Sequence, residues 1–397
     1  MSRNLTLRLA ARQAGLSLIE LMVALTIGVF LLLGLVEIFG ASRAAFATAE
    51  GVSRVQENAR FAVDFMRRDL RMVGHLGCLN ERGYIRGGGL SPRMYNHAVN
   101  PSTNLVGAPF ALRLDMPVIG FEHNGTAPGQ TFDMSGGPVT GVGPGSFSPA
   151  LNPSLGDLAG DAIRGSDVLV VRFLGGESAR STRVNIATNT LQVLSPLEVP
   201  FFQARAVYAI SNCRQVSLFQ AQGAGANINV GAGGVNVVNW ATEEEGYASP
   251  ATAVYRYQYA VYYVGLDPAS GQPSLRVRNL DPGRAGLLSA PQTLVEGVDN
   301  MQLVYGVDVG VTRDDVLDQY VTAQGVGGLD ATQQLAWQRV LNVRVGLLMR
   351  SPNVAAATRD DTSPPFRVAD TVITDARDGR VRQTYETVIT MRNRVRN

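Results

Sequence analysis

The chain of 397 residues contains no lysine; all 35 of its basic residues are arginine. That absence excludes a phosphate-cradling loop of the type that ends in Gly-Lys-Ser/Thr. Histidine is nearly as scarce. His75, His97 and His123 make no metal-ligand spacing with one another, and His75 with Cys78 gives two ligands where a zinc site takes four. No Gly-x-Ser-x-Gly turn is present. The acids at Glu243, Glu244 and Glu245, at Asp314 and Asp315 and at Asp360 and Asp361 lack the alternating ligands of a calcium loop and read as solvated turns. The sequence therefore predicts a protein that is not an enzyme, with no metal and no cofactor. Net charge is also small, +2 over the chain. A nucleic-acid partner is not expected, since such binding rests mostly on neutralised phosphates.

Proline is missing before Pro92, so nothing forbids one long helix in the first part of the chain. That part begins with Arg3, Arg8 and Arg12 and no acid before Glu20. Residues 21–36 then carry no charge. The 26 residues 16–41 make a helix of about 39 Å, enough to cross a hydrocarbon layer of about 30 Å. Arginines ahead of the apolar run hold the N-terminus in the cytoplasm, so later residues face outward. No second apolar span follows. Beyond it, Val52, Val55, Ala59, Ala62, Val63, Met66, Leu70 and Val73 recur at spacings of three and four, a helical stripe. The helix is expected to end near Val73, because Gly74 and Gly77 follow. Asp64 and Arg68 are placed as an acid-before-base pair.

An ionised Glu20 at the head of an apolar helix is costly in hydrocarbon, roughly 3 kcal/mol or more, unless it has a partner. An ordinary secretory signal would instead be cut after the apolar run, where Ala45-Phe46-Ala47 offers a site. The hexapeptide Gly15-Leu16-Ser17-Leu18-Ile19-Glu20 resembles the processing signal of type IV pilins and pseudopilins. The resemblance implies cleavage between Gly15 and Leu16, N-methylation of Leu16, and a Glu20 that meets the N-terminal amine of a neighbouring subunit. The run from Gln56 to Arg71, followed by Gly77-Cys78, is similar to the PilW-type minor pilins. It departs from them at His75, where tyrosine is usual. Glu37 stands where major pilins often carry proline. The stretches 166–173 and 294–305 support the same resemblance less specifically.

The order of elements, a helix and then strands with little alternation, argues for an α+β fold with an antiparallel sheet. The resemblance implies that it is type IV pilin-like: a long N-terminal helix packed on an antiparallel β-sheet domain, with a long loop insertion. The expected divisions are a leader at 1–15 that is removed, a membrane or filament-core helix at 16–41, and its amphipathic continuation at 42–78. A Gly/Pro-rich region at 79–160 and a β-rich periplasmic domain at 161–397 follow. Implied partners are other minor pilins and the major pilin, the prepilin peptidase and the inner-membrane assembly platform. The implied location is the inner membrane, then the filament. A minor pseudopilin of a type II secretion system is the nearest alternative, and a membrane-tethered adhesin or binding module a more distant one.

From the residues themselves, β-branched and aromatic runs predict strands at 168–173, 206–210, 216–219, 254–264, 275–280, 301–307, 340–349 and 384–391. Tyr255, Tyr257 and Tyr259 read as a buried or half-buried strand face. Nine of the 19 prolines fall between Pro92 and Pro153, which predicts loop with at most short strands. A short helix capped by Asp330 is expected at 331–339. Arg377, Arg380, Arg382, Arg392, Arg394 and Arg396 read as a solvated strand edge, or as a contact for DNA or an acidic partner. Cys78 and Cys213 are expected to pair in an oxidising compartment.

Overall fold

The computed structural model describes residues 15, 17–79, 93–240, 247, 252–283, 287–310, 314–327, 334–354, 364–374 and 376–394. The chain divides into two units, Met1–Glu50 and Gly51–Asn397. One helix, α1 (Leu18–Met72), contributes to both. Within the first unit residues 21–36 are uncharged on every side, and the large hydrophobic side chains from Leu18 to Phe39 are 51% to 79% exposed. Thr26 returns its hydroxyl to the Met22 carbonyl at 2.7 Å, so its one polar side group is satisfied within the helix. Gly28, Gly34 and Gly40 remain helical.

In the second unit α1 becomes amphipathic, as the stripe requires. Val55, Ala59, Ala62, Met66 and Leu70 are almost wholly buried, whereas Val52 and Val63 stay half-buried at its margin. Asp64 pairs with Arg67 at 3.3 Å and Arg60 at 3.9 Å. The expected Asp64–Arg68 pair is replaced by Arg68 with Asp69 at 3.2 Å. Gly74, at φ +78°, stops the helix in the left-handed conformation that glycine adopts without strain.

The β elements follow in chain order: β1 (Arg93–Asn96), β2 (Val118–His123), β3 (Thr131–Asp133), β4 (Phe147–Ser148) and β5 (Val168–Asn185). Then come β6 (Thr190–Val193), β7 (Val207–Ser211), β8 (Gln215–Gln220), β9 (Asn227–Asn229), β10 (Ala253–Leu266), β11 (Pro273–Asn279) and β12 (Gln292–Glu296). The last are β13 (Val298–Val307), β14 (Gln319–Val321), β15 (Val340–Arg350), β16 (Phe366–Val368), β17 (Thr371–Thr374) and β18 (Arg382–Thr390). The main sheet runs β1-β8-β7-β10-β5-β2-β4. β11 and β12 extend it from β10, and β6 and β9 from β5. A second sheet runs β14-β13-β15-β18 and a third β16-β17-β3. Each of the eight predicted runs lies in one of these strands to within one residue at its ends, Ala206, Leu280 and Met391 falling just outside. The sheets are antiparallel except at β1 with β8 and β17 with β3. Those parallel pairs join segments far apart in the chain, as a parallel pair must.

Among the described residues three cores form, the smallest from Phe132, Met134, Leu348, Val368 and Ile373. The largest joins the α1 stripe to β2, β5, β10, β13 and β15. The second is aromatic, with Phe202, Tyr208, Phe219, Trp240 and Tyr247. Strand alternation feeds both: Val207 and Ala209 face the first, Tyr208 and Ile210 the second. Tyr257 and Tyr259 are 2% and 1% exposed, and burial pushes the Tyr259 phenol up to about 12.

The proline-rich region is more deeply embedded than its composition predicts. Its strands are short, but β2 is buried along its whole length and pairs with β5. Gly120 in β2 admits the Tyr305 hydroxyl, which would overlap any Cβ there. The preceding irregular stretch is held by long-range donors. Arg172 gives bonds of 2.7 Å to the Met116 and Phe110 carbonyls, and the Tyr257 hydroxyl reaches the Ala111 carbonyl at 2.7 Å. Buried backbone acceptors need such partners when no ladder supplies them. Residues 334–337 form a helical turn (Gln334–Trp337); the expected cap, Asp330, lies outside the described residues.

Cys78, in the turn after α1, is bonded to Cys213, between β7 and β8, across 135 residues of chain. Ser211 adds a 2.6 Å bond from its hydroxyl to the Leu76 carbonyl. Gly77 sits between them at φ +72°, under Tyr255. Closing so long a loop stabilises the fold by about 5 kcal/mol in the chain-entropy account. Replacing both cysteines by serine should lower the unfolding free energy by about that amount in a denaturant titration. An unchanged midpoint would remove the bridge from the account.

Candidate functional site: the apolar helix and its leading acid

The start of α1 is built by two residues of the hexapeptide. The Glu20 amide donates to Ser17 Oγ at 3.2 Å, and the Ser17 amide donates to Glu20 Oε2 at 3.2 Å. This reciprocal capping box satisfies two amides that the first turn leaves without carbonyl partners. The Leu21 amide makes the first helical bond, to the Ser17 carbonyl, at 3.2 Å. A carboxylate in this turn also complements the positive end of the helix dipole. Sequence reasoning gave Glu20 an intermolecular role and missed this local one; its signal was the Ser-x-x-Glu spacing itself. Only Oε2 is engaged, and Oε1 makes no hydrogen bond with a described residue. The acid can therefore cap its own helix and still present an oxygen outward. Gly15 is described and exposed, whereas Leu16 lies outside the described residues.

Around and behind Glu20 lies a long exposed apolar surface. Leu18 to Phe39 contains sixteen large hydrophobic side chains that are more than half exposed. Covering each stabilises the helix by about 1.5–3 kcal/mol. The helix is long and apolar enough to cross a membrane.

The other candidates have structural roles. His75 Nδ1 lies 2.9 Å from the Leu174 carbonyl, and its ring meets Tyr255 edge-on. His97 packs on Trp240. His123 sits between Phe132 and Phe147, and burial lowers its pKa. Among the described residues no three His, Cys, Asp or Glu side chains are placed to hold a metal. Asp167 is buried and its carboxyl pushed well up by burial, although the His123 and Leu303 amides donate to it at 2.9 and 2.8 Å. The expected solvated arginine edge is corrected in part. Arg382 is 9% exposed and binds Asp299 at 2.7 Å, with Arg350 on the other oxygen at 3.2 Å. Arg394 is 1% exposed and donates to the Trp337 and Val340 carbonyls. Partners from distant strands make these burials tolerable. Arg396 and the acids Glu243, Glu244, Glu245, Asp360 and Asp361 lie outside the described residues.

The long helix and the mixed β domain give an α+β architecture, headed by an apolar helix with a capped acid. Two family models match the chain. Residues 10–36 match the Prokaryotic N-terminal methylation motif, and residues 261–393 match PilW, the Type IV Pilus-assembly protein W. The two matches together support a type IV pilus-associated pilin of the PilW type. The PilW match runs from within β10 to the end of the chain's described strands. The helical stretch that suggested the same family lies outside it. No curated protein and no solved structure matches the chain.

If Ser17 caps α1, Ser17→Ala should loosen only the helix start. Removing a cap costs about 1 kcal/mol, or about fivefold in local opening. Hydrogen exchange of the full-length protein in micelles should quicken by that factor at the first-turn amides and stay unchanged at 55–70. Equal exchange at both ends would contradict the cap.

Proposed function

We propose that the chain is a structural, non-catalytic minor subunit that helps to prime and assemble type IV pili, at or near the filament tip. Its first 15 residues act as a cytoplasmic leader that a prepilin peptidase removes, and Leu16 becomes the methylated N-terminus. Residues 16–41 anchor the protein in the inner membrane and later enter the filament core. Residues 42–78 carry the helix onto a periplasmic body formed by 79–160 and 161–397. Its partners are sister minor pilins, the major pilin and the inner-membrane assembly platform. The observation that carries this reading is the capped acid at the head of an apolar, exposed helix. One oxygen of Glu20 is used at home, and the other is available to an ammonium next door. Two such charges are each costly in a greasy core and tolerable together. Methylation of the amine keeps its charge, so the pairing survives it. The bulk of the β domain favours a minor place over a densely packed shaft.

Two substitutions separate pairing from capping. Glu20→Gln keeps an oxygen that can cap, but it loses the charge; Glu20→Ala loses both. Both variants should reach the membrane fraction in normal amount, and both should be missing from sheared filaments. Normal incorporation of Glu20→Gln would reduce the acid to a helix cap and overturn the pairing.

A further inference from the structure

Arg392, together with the arginines at the end of α1, points to a second site. A cavity of about 790 Å³ opens where α1 ends against β5, β10 and the chain's last turn. Its lining includes Arg67, Arg68, Arg71 and Arg392, with Asp64 as the one acid. His75 and Tyr255, ring centroids 5.5 Å apart, and Met72 add less polar wall. A smaller cavity of about 410 Å³ shares Arg68, Met72 and Gly176 with it and runs on along β5 and β10 to Tyr259 and Asn279. Its opening coincides with a break in pairing. Tyr255 faces Ser178, but Tyr257 faces Leu174, so 175–177 bulge out of β5. Nothing lies within 4 Å of where a Gly176 Cβ would stand.

Arginines beside a helix C-terminus ordinarily serve its free carbonyls. Here another residue does so: Asn393 Nδ2 lies 3.3–3.4 Å from the carbonyls of Arg71, Met72 and Val73. Arg67 and Arg68 are held by Asp64 and Asp69. Arg71 and Arg392 are exposed and have no carboxylate partner among the described residues. The remainder of the chain is close to charge balance, so this groove is a local concentration of positive charge.

We propose that the groove is a docking site for an acidic, partly apolar segment of another protein chain, with Arg71 and Arg392 each taking a carboxylate. Guanidinium and carboxylate match in geometry as well as charge. The elongated shape and the aromatic wall suit an extended peptide. Two unpaired guanidiniums suit a peptide better than a nucleic acid, whose affinity needs many phosphates neutralised at once.

The test uses full-length protein in detergent micelles and a fluorescent peptide that alternates glutamate with leucine, with a glutamine–leucine peptide as control. The acidic peptide should bind saturably and the control should not. Arg71→Glu with Arg392→Glu should weaken binding by at least about tenfold, as reversal at a charge-complementary contact does. Arg183→Glu, in the part of β5 that pairs with β6 and outside the lining of both cavities, should leave it unchanged. If the reversed pair fails to fold, as judged by loss of near-ultraviolet dichroism, Arg71→Gln with Arg392→Gln serves instead and should show the same direction. Peptide binding that is indifferent to both pairs overturns the proposal. So does tighter, arginine-dependent binding of oligothymidylate or of phosphatidylglycerol vesicles.

Discussion

One helix has to satisfy two surroundings, and the rest of the molecule follows from that constraint. Over residues 21–36 α1 carries no charge on any side. Its leucines, isoleucines, valines and phenylalanines are exposed, and several tens of kcal/mol of burial are left to be gained from lipid or from other helices. From Gly51 to Met72 the apolar surface of the same helix narrows to a stripe that forms one wall of the main core. An apolar surface of the first kind is far larger than a soluble monomer carries by chance. It calls for lipid or other helices around it, which agrees with the N-terminal methylation motif and the PilW match.

The join between helix and β domain is reinforced where leverage on it would be greatest. Asp69 lies on the buried side of α1 and accepts the Tyr262 hydroxyl at 2.6 Å. Asn58 reaches the Glu296 carbonyl at 3.0 Å. The Cys78–Cys213 bond, the Ser211 contact and the Asn393 bridge follow within two turns of the helix end. A subunit pulled by its helix would load these links first. They tie α1 to β7, β10, β12 and the segment after β18, so force is spread over the middle of the main sheet, its β12 branch and the second sheet.

Much of this was legible in the residues. The period of the stripe gave the helix and its buried side, and Gly74 gave its end. Long β-branched runs gave the strands of all the large pairings. Short elements were not legible, because three or four residues carry too little periodicity to separate strand from loop. β2 was hidden for a different reason: Pro117 precedes it and glycine interrupts it, yet both its faces are covered by elements far away in sequence. The same distance hid the fate of the charges. Arg172, Arg382 and Arg394 look solvated in one dimension. Each is buried because carbonyls or an acid, such as Asp299, 83 residues before Arg382, arrive from elsewhere. At Glu20 the residues supplied the unusual position of the acid, and the structure added the cap that Ser17 shares with it.

The central claim is that the apolar segment stays in the working protein and begins with a charged, processed end. Intact-mass measurement of the membrane-extracted protein tests it most directly. The account predicts a chain that has lost residues 1–15 and gained one methyl group, with its N-terminus at Leu16. A chain that begins at Thr48, shed from its apolar helix, would contradict it.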